Sequence, residues 1–257
     1  MQKSRSPILV LGLILTLVAV VAIAYVLRPS AAPSGELEAV PIEVSTQVPA
    51  ETSSDLLEET VDPDPPATNE VDVADEEPKL GGIYEVQQSG STVRFLLDEV
   101  LRGNDFTVVG KTNQIAGQIL IDVDDPTASQ LGLVQVNART IVTDNENRNR
   151  AIRNEILDVD AYEFISFEAT VLENLPDSIV VGETYAFSIV GMLTIRDVSQ
   201  EVRFDASLSI DAADQISGSA STTVLYADYN LIIPSVPFVA SVEDEVLLEI
   251  EFTATAQ

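Results

Sequence analysis

YAFSIVGMLTIRDVSQEVRFDASLSI, residues 185–210, is the stretch from which the fold is read. Tyr185, Phe187, Ile189, Gly191, Leu193 and Ile195 fall on one face of its first arm. Val202, Phe204, Ala206, Leu208 and Ile210 fall on one face of its second. The opposite face of that second arm carries Arg203, Asp205, Ser207 and Ser209. Side chains along a strand point alternately to the two sides, so strict period-two alternation means a sheet with one dry side and one wet side. Arg196 to Ser199 sits where the chain must reverse, which predicts one long β-hairpin.

The same alternation runs outward from that hairpin. Strands are predicted at Ser91–Leu97, at Phe106–Val109 and Ile115–Val123 with a polar turn at Lys111-Thr112-Asn113, at Val134–Ala138, at Ile165–Val171, at Ile216–Tyr226 and at Val246–Phe252. Asp144 to Asp158 breaks the pattern. Ile152, Ile156 and Leu157 recur there at helical spacing, which predicts one short helix capped by Asp144 or Asn145. Pro234 and Pro237 forbid a central strand over residues 231–237. Residues 81–257 thus read as one all-β domain of about eight antiparallel strands and one short helix, closing into a barrel or packing as a sandwich. An eight-stranded barrel is just wide enough to hold side chains or one small ligand.

The residues before that domain have a different character. Ile8 to Leu27 is uncharged and apolar apart from Thr16 and Tyr25, about the 20 residues a membrane-spanning helix needs. Lys3 and Arg5 precede it, so the positive-inside bias predicts a single-pass anchor over residues 1–27, with the N-terminus cytoplasmic and the barrel outside. Ala22-Ile23-Ala24 resembles a signal-peptide cleavage site, which makes a secreted form the rival expectation. The apolar run is longer than a signal core, and the anchor is the favoured one. Residues 28–80 hold 14 acids, two basic residues, eight prolines and no aromatic residue. Such a stretch buries too little apolar surface to offset its ordering entropy, and it is expected to be a disordered, extended acidic linker.

A formal charge of −29 argues against nucleic acid, whose phosphates call for clustered Lys and Arg. The chain has no Cys, His or Trp. Without His it lacks the commonest general base and the commonest transition-metal ligand. No Gly-x-Ser-x-Gly elbow or catalytic pairing stands out, so the expectation is a protein that is not an enzyme and uses no cofactor or metal. A pair of acids buried in one cleft would revive carboxylate chemistry. Gly110-Lys111-Thr112 ends like a phosphate loop, but Asp105 stands where that loop needs Gly, and a hairpin turn is expected. Asp122, Asp124 and Asp125 read as a solvated turn rather than a Ca²⁺ site, because the sharp-turn Gly and bidentate Glu are missing.

Four pieces of this sequence, in order, resemble a known family. Thr140-Ile141-Val142-Thr143-Asp144-Asn145, then Arg148, Ile152-Arg153, Asp158, Tyr162 and Ile165-Ser166-Phe167, resemble the central signature of the YceI-like family. Gly191-Met192-Leu193-Thr194-Ile195-Arg196-Asp197-Val198 resembles its second signature, Tyr84 with Ser91, Val93 and Phe95 its opening strand, and Tyr226-Ala227-Asp228-Tyr229-Asn230 a degenerate Arg-x-Asp-Phe-Gly segment. The chain departs from the pattern at four places. Asp98-Glu99 stands for a His, Asn149 for Asp, Glu163 for Pro and Tyr226 for Arg. The resemblance implies a lipocalin-like antiparallel barrel, exported from the cytoplasm, whose lumen takes a polyisoprenoid or related lipid.

On that reading Val93, Phe95, Phe167, Phe187, Ile189 and Phe204 are the candidate lumen residues. By alternation alone they equally fill a solid core, although Gly191, Ala206, Gly218 and Ala220 leave room inside. Arg148, Arg150 and Arg153 are the one basic cluster of an acidic domain and the candidate holders of a phosphate or carboxylate head group. The plainer alternative pairs them with Glu146, Glu155, Asp158 and Asp160. The expectation is a membrane-anchored binding protein for an apolar ligand. Its alternative is a structural or interaction module with a filled barrel on an acidic stalk.

Overall fold

The computed structural model describes residue 29 and residues 31–43, 80–237 and 239–257. The expected anchor over residues 1–27 and most of the expected linker lie outside the described residues. Among the described residues no helix is long and apolar enough to cross a membrane.

In chain order the strands are β1 (Gly82–Val86), β2 (Thr92–Leu101), β3 (Asn104–Thr112), β4 (Ile115–Ala116), β5 (Gln118–Ile121), β6 (Gln130–Leu131), β7 (Val134–Asn137), β8 (Phe164–Glu173), β9 (Thr184–Ile195), β10 (Val198–Ala212), β11 (Gln215–Leu225) and β12 (Val239–Ala256). Helix α1 (Glu146–Ala151) runs on into a π-helical turn over Ile152–Ile156. Every strand pairing is antiparallel, in one sheet ordered β4-β7-β8-β9-β10-β11-β12-β1-β5-β6, with β2 and β3 added beside β12. The sheet is a curled, lipocalin-like half-barrel. β4 and β5, separated only by Gly117, link its two edges, because β4 pairs with β7 and β5 with β1. β4 contributes only two residue pairs to β7, Ile115↔Val136 and Ala116↔Gln135.

Twelve segments stand where alternation predicts about eight strands, because the long strands are broken by bends that alternation does not register. The β1–β2 run is interrupted by a 3-10 turn at Gln88–Gly90. The central hairpin reverses in two residues, with Val198 opposite Ile195 and Arg196 in the left-handed region at φ 58°. Lys111 lies within β3, not in the expected turn, and bonds Val142 through both backbone groups. Asn145 is the helix cap, its side chain accepting from the backbone N–H groups of Asn147 and Arg148 at 2.9 and 3.2 Å.

Residues 31–43, expected to be disordered, instead run along the outside of the sheet. Ala31 donates its backbone N–H to Asp160, and Ser34 donates both its backbone N–H and its hydroxyl to Glu163. Arg139 donates to the Ala32 carbonyl at 3.0 Å, and Gln88 to the Leu37 carbonyl at 2.8 Å. Ile42 donates to Gln118 at 2.9 Å and packs over Gly132. This strap therefore crosses the short β4–β7 seam, from the start of β8 to β5. Composition averaged over residues 28–80 hides a 13-residue piece whose backbone is held mostly by hydrogen bonds to barrel side chains.

Candidate functional site

The inward faces of the strands do not meet across the barrel. Among the described residues they line two partly open apolar cavities. One, of about 230 Å³, lies at the end where α1 covers the sheet. The other, of about 120 Å³, lies at the end of the β8–β9 and β5–β6 connections. Val134, Phe167, Phe204 and Ile250 border both. The Phe167 and Phe204 rings stand edge-to-face there, centroids 5.1 Å apart at 72°, both nearly fully buried. With Val134 and Ile250 they stand between the two chambers.

Glycines give the rings their positions. Gly110 lies directly opposite Phe95, and Gly218 directly opposite Phe252. A Cβ at Gly191 would come within 2.7 Å of the Phe167 ring, and one at Gly218 within 2.8 Å of the Phe252 ring. At Gly110 it would overlap the Phe95 ring outright. Each ring thus lies against bare backbone instead of standing up into the lumen.

Of the sequence-derived lumen residues, Val93 and Phe95 border the helix-end chamber, Phe187 and Ile189 the other, and Phe167 and Phe204 both. The arginines are not brought together at the mouth. Of these three, only Arg148 borders a chamber. It is paired with Glu99 at 3.1 Å and with Asp144, and its guanidinium sits over the Phe106 ring at 5.5 Å. Arg153 pairs with Glu146 at 3.6 Å, and neither it nor Arg150 borders a chamber. Glu99 is only 9% exposed, and Arg148 supplies the counter-charge that a buried carboxylate requires.

Two functional groups escaped the sequence reading. Glu99 was legible only as a departure from a family pattern. Tyr229 was legible only as part of a degenerate segment. Tyr229 ends a 3-10 turn after β11 and is 1% exposed. Tyr229 lines the helix-end chamber, and its hydroxyl, itself buried, has no hydrogen-bond partner among the described residues. Burial, with the negative charge of Asp228, pushes its pKa up to about 12. Neighbouring Tyr226 differs, donating its hydroxyl to Asp244 at 3.2 Å. No cluster of three or more metal-ligating side chains occurs among the described residues.

A family model described as a YceI-like domain matches residues 84–254. The fold is similar to that of the Burkholderia cenocepacia protein BcnA, at 14% identity and a TM-score of 0.53, covering 66% of this chain and 99% of that one. It is also similar to a polyisoprenoid-binding domain from Saccharophagus degradans implicated in plant cell wall breakdown, at 13% identity and a TM-score of 0.54. That likeness covers 68% of this chain and 98% of the other. No curated protein sequence matches the chain.

Proposed function

The chain belongs to the YceI-like family, and from that premise we propose that it binds an apolar ligand, a polyisoprenoid or related lipid, in the lumen of its barrel. The observation that carries this reading is the pair of apolar chambers where a filled core would have served stability better. An apolar cavity left empty costs dispersion contacts and is dry, so an apolar guest gains what the walls have lost. The polyisoprenoid-binding domain with the same fold supports the choice of ligand class. The filled-barrel interaction module is the weaker reading, because the chambers are open. The role is binding, not catalysis.

As part of this proposal, residues 1–27 anchor the protein in the membrane as a single-pass helix, with the barrel outside the cytoplasm. The charge-free run Ile8–Leu27 and the preceding Lys3 and Arg5 support it. Alkaline carbonate extraction of membranes, with protease added from outside intact cells, tests this part. Release into the soluble fraction would overturn it.

The binding test uses the full chain isolated from membranes into lipid nanodiscs and labelled with a photoreactive prenyl probe. Peptides bearing Phe167, Phe187 or Tyr229 are expected to carry the label. An excess of unlabelled prenyl alcohol should suppress it. Labelling confined to the outer surface would sink the proposal.

A further inference from the structure

We infer that Tyr229 is the polar anchor of the lumen: its hydroxyl donates a hydrogen bond to a neutral oxygen acceptor, a hydroxyl, ether or carbonyl oxygen, at the head of an otherwise apolar ligand. The inference rests on the proposed lumen binding and adds to it a head-group chemistry and an orientation.

A buried hydroxyl with no partner is uncommon, because it forfeits its hydrogen bond to water and receives nothing in return. Tyr229 bears that cost at the wall of the larger chamber. A phenylalanine would fill the same space without it. The raised pKa keeps the hydroxyl protonated, so it meets a ligand as a donor.

The surroundings decide the charge of the head. Of the two arginines that border this chamber, Arg148 is held by Glu99 and Asp144, and Arg94 by Glu249 and Glu251. Neither presents a free cation, and Glu99 adds a buried carboxylate at the wall. A phosphate or carboxylate head would be desolvated beside like charge. A neutral oxygen meets no such penalty and satisfies the orphaned hydroxyl. The head therefore sits at the helix end, and the tail points toward the Phe167–Phe204 pair.

The test compares the wild-type chain with Tyr229→Phe, each full length and in nanodiscs. Farnesol and the same chain ending in a methyl group compete for the photoreactive prenyl probe. Wild type should prefer farnesol over the hydrocarbon by about three- to tenfold. Tyr229→Phe should lose that preference while binding the hydrocarbon as well as before. Its ligand-free melting temperature should be no lower than wild type. A preference that survives the substitution, an equal loss for both compounds, or a lowered melting temperature would overturn the inference and leave lumen binding standing. If neither compound competes in the wild type, the proposed function falls as well.

Discussion

Gly110 sits across from Phe95, and its missing side chain is what lets that ring lie down. Gly110→Ala drives the Phe95 ring into the helix-end chamber, so it should cost about 1–3 kcal/mol through overpacking and also shrink the lumen. Denaturant unfolding reads the first effect, and probe labelling reads the second. Unchanged labelling would mean that the ring escapes elsewhere. Tyr229 is the opposite case, a group whose removal helps the empty protein. An unpaired buried hydroxyl carries a desolvation cost of about 1–3 kcal/mol, so ligand-free Tyr229→Phe should be the more stable chain. The same residue gives a pH signature. Its pKa is raised from 10.0 to about 12, so the folded state keeps a proton that the unfolded state releases. Stability therefore falls as pH rises from 10 toward about 12, and that fall should be shallower in Tyr229→Phe. Phe95 and Phe167, which alternation puts on an inward face, both border a chamber. It was silent on Tyr229, because a lone tyrosine in a short turn has no period to read.

At the scale of elements, the strap of residues 31–43 hangs on Glu163. Ser34, Asn137 and Arg139 all direct donors or charge at this carboxylate. Burial alone would raise its pKa, but the hydrogen bonds from Ser34 and Asn137 and the Arg139 charge outweigh burial and hold it below the ordinary 4.5. A depressed carboxylate stabilises the folded state above 4.5, and that contribution is lost as pH falls through its lower folded value. Hydrogen exchange on the full chain should show Ser34 and its neighbours losing protection in a buffer well below 4.5, and in Glu163→Ala at neutral pH. Protection unchanged in both would mean that the strap is held by its other contacts. Glu163 stands where the family signature carries proline, so the sequence marked the position as unusual without giving a reason. The structure supplies one, an acceptor for the strap. Asn149, the departure from aspartate in that signature, accepts through Oδ1 from the Thr143 backbone at 2.6 Å and hydroxyl at 2.7 Å. The hairpin and the cap at Asn145 were legible because their signals are local. The strap, the Arg148–Glu99 pair and the β4–β7 seam depend on contacts between residues far apart in sequence, and a linear pattern does not carry them.

The whole molecule sets a net charge of −29 against an apolar lumen with two rings at its middle. Burial of an apolar tail contributes about 0.8 kcal/mol per methylene, so affinity for a homologous series of prenyl alcohols should climb with length while the tail fills the helix-end chamber. It should level off where the tail reaches Phe167 and Phe204, which stand between the two chambers. Phe204→Leu trims the pair at a cost below the about 3–5 kcal/mol of a full phenylalanine-to-alanine truncation. It should move the plateau to longer chains by joining the two cavities. Melting temperature at saturating ligand gives the readout, since whatever binds only the native state stabilises it by mass action. A plateau at the same chain length in both proteins would mean that the rings yield to the ligand and set no limit. A plateau displaced only in the variant would make the edge-to-face pair the element that selects ligand length.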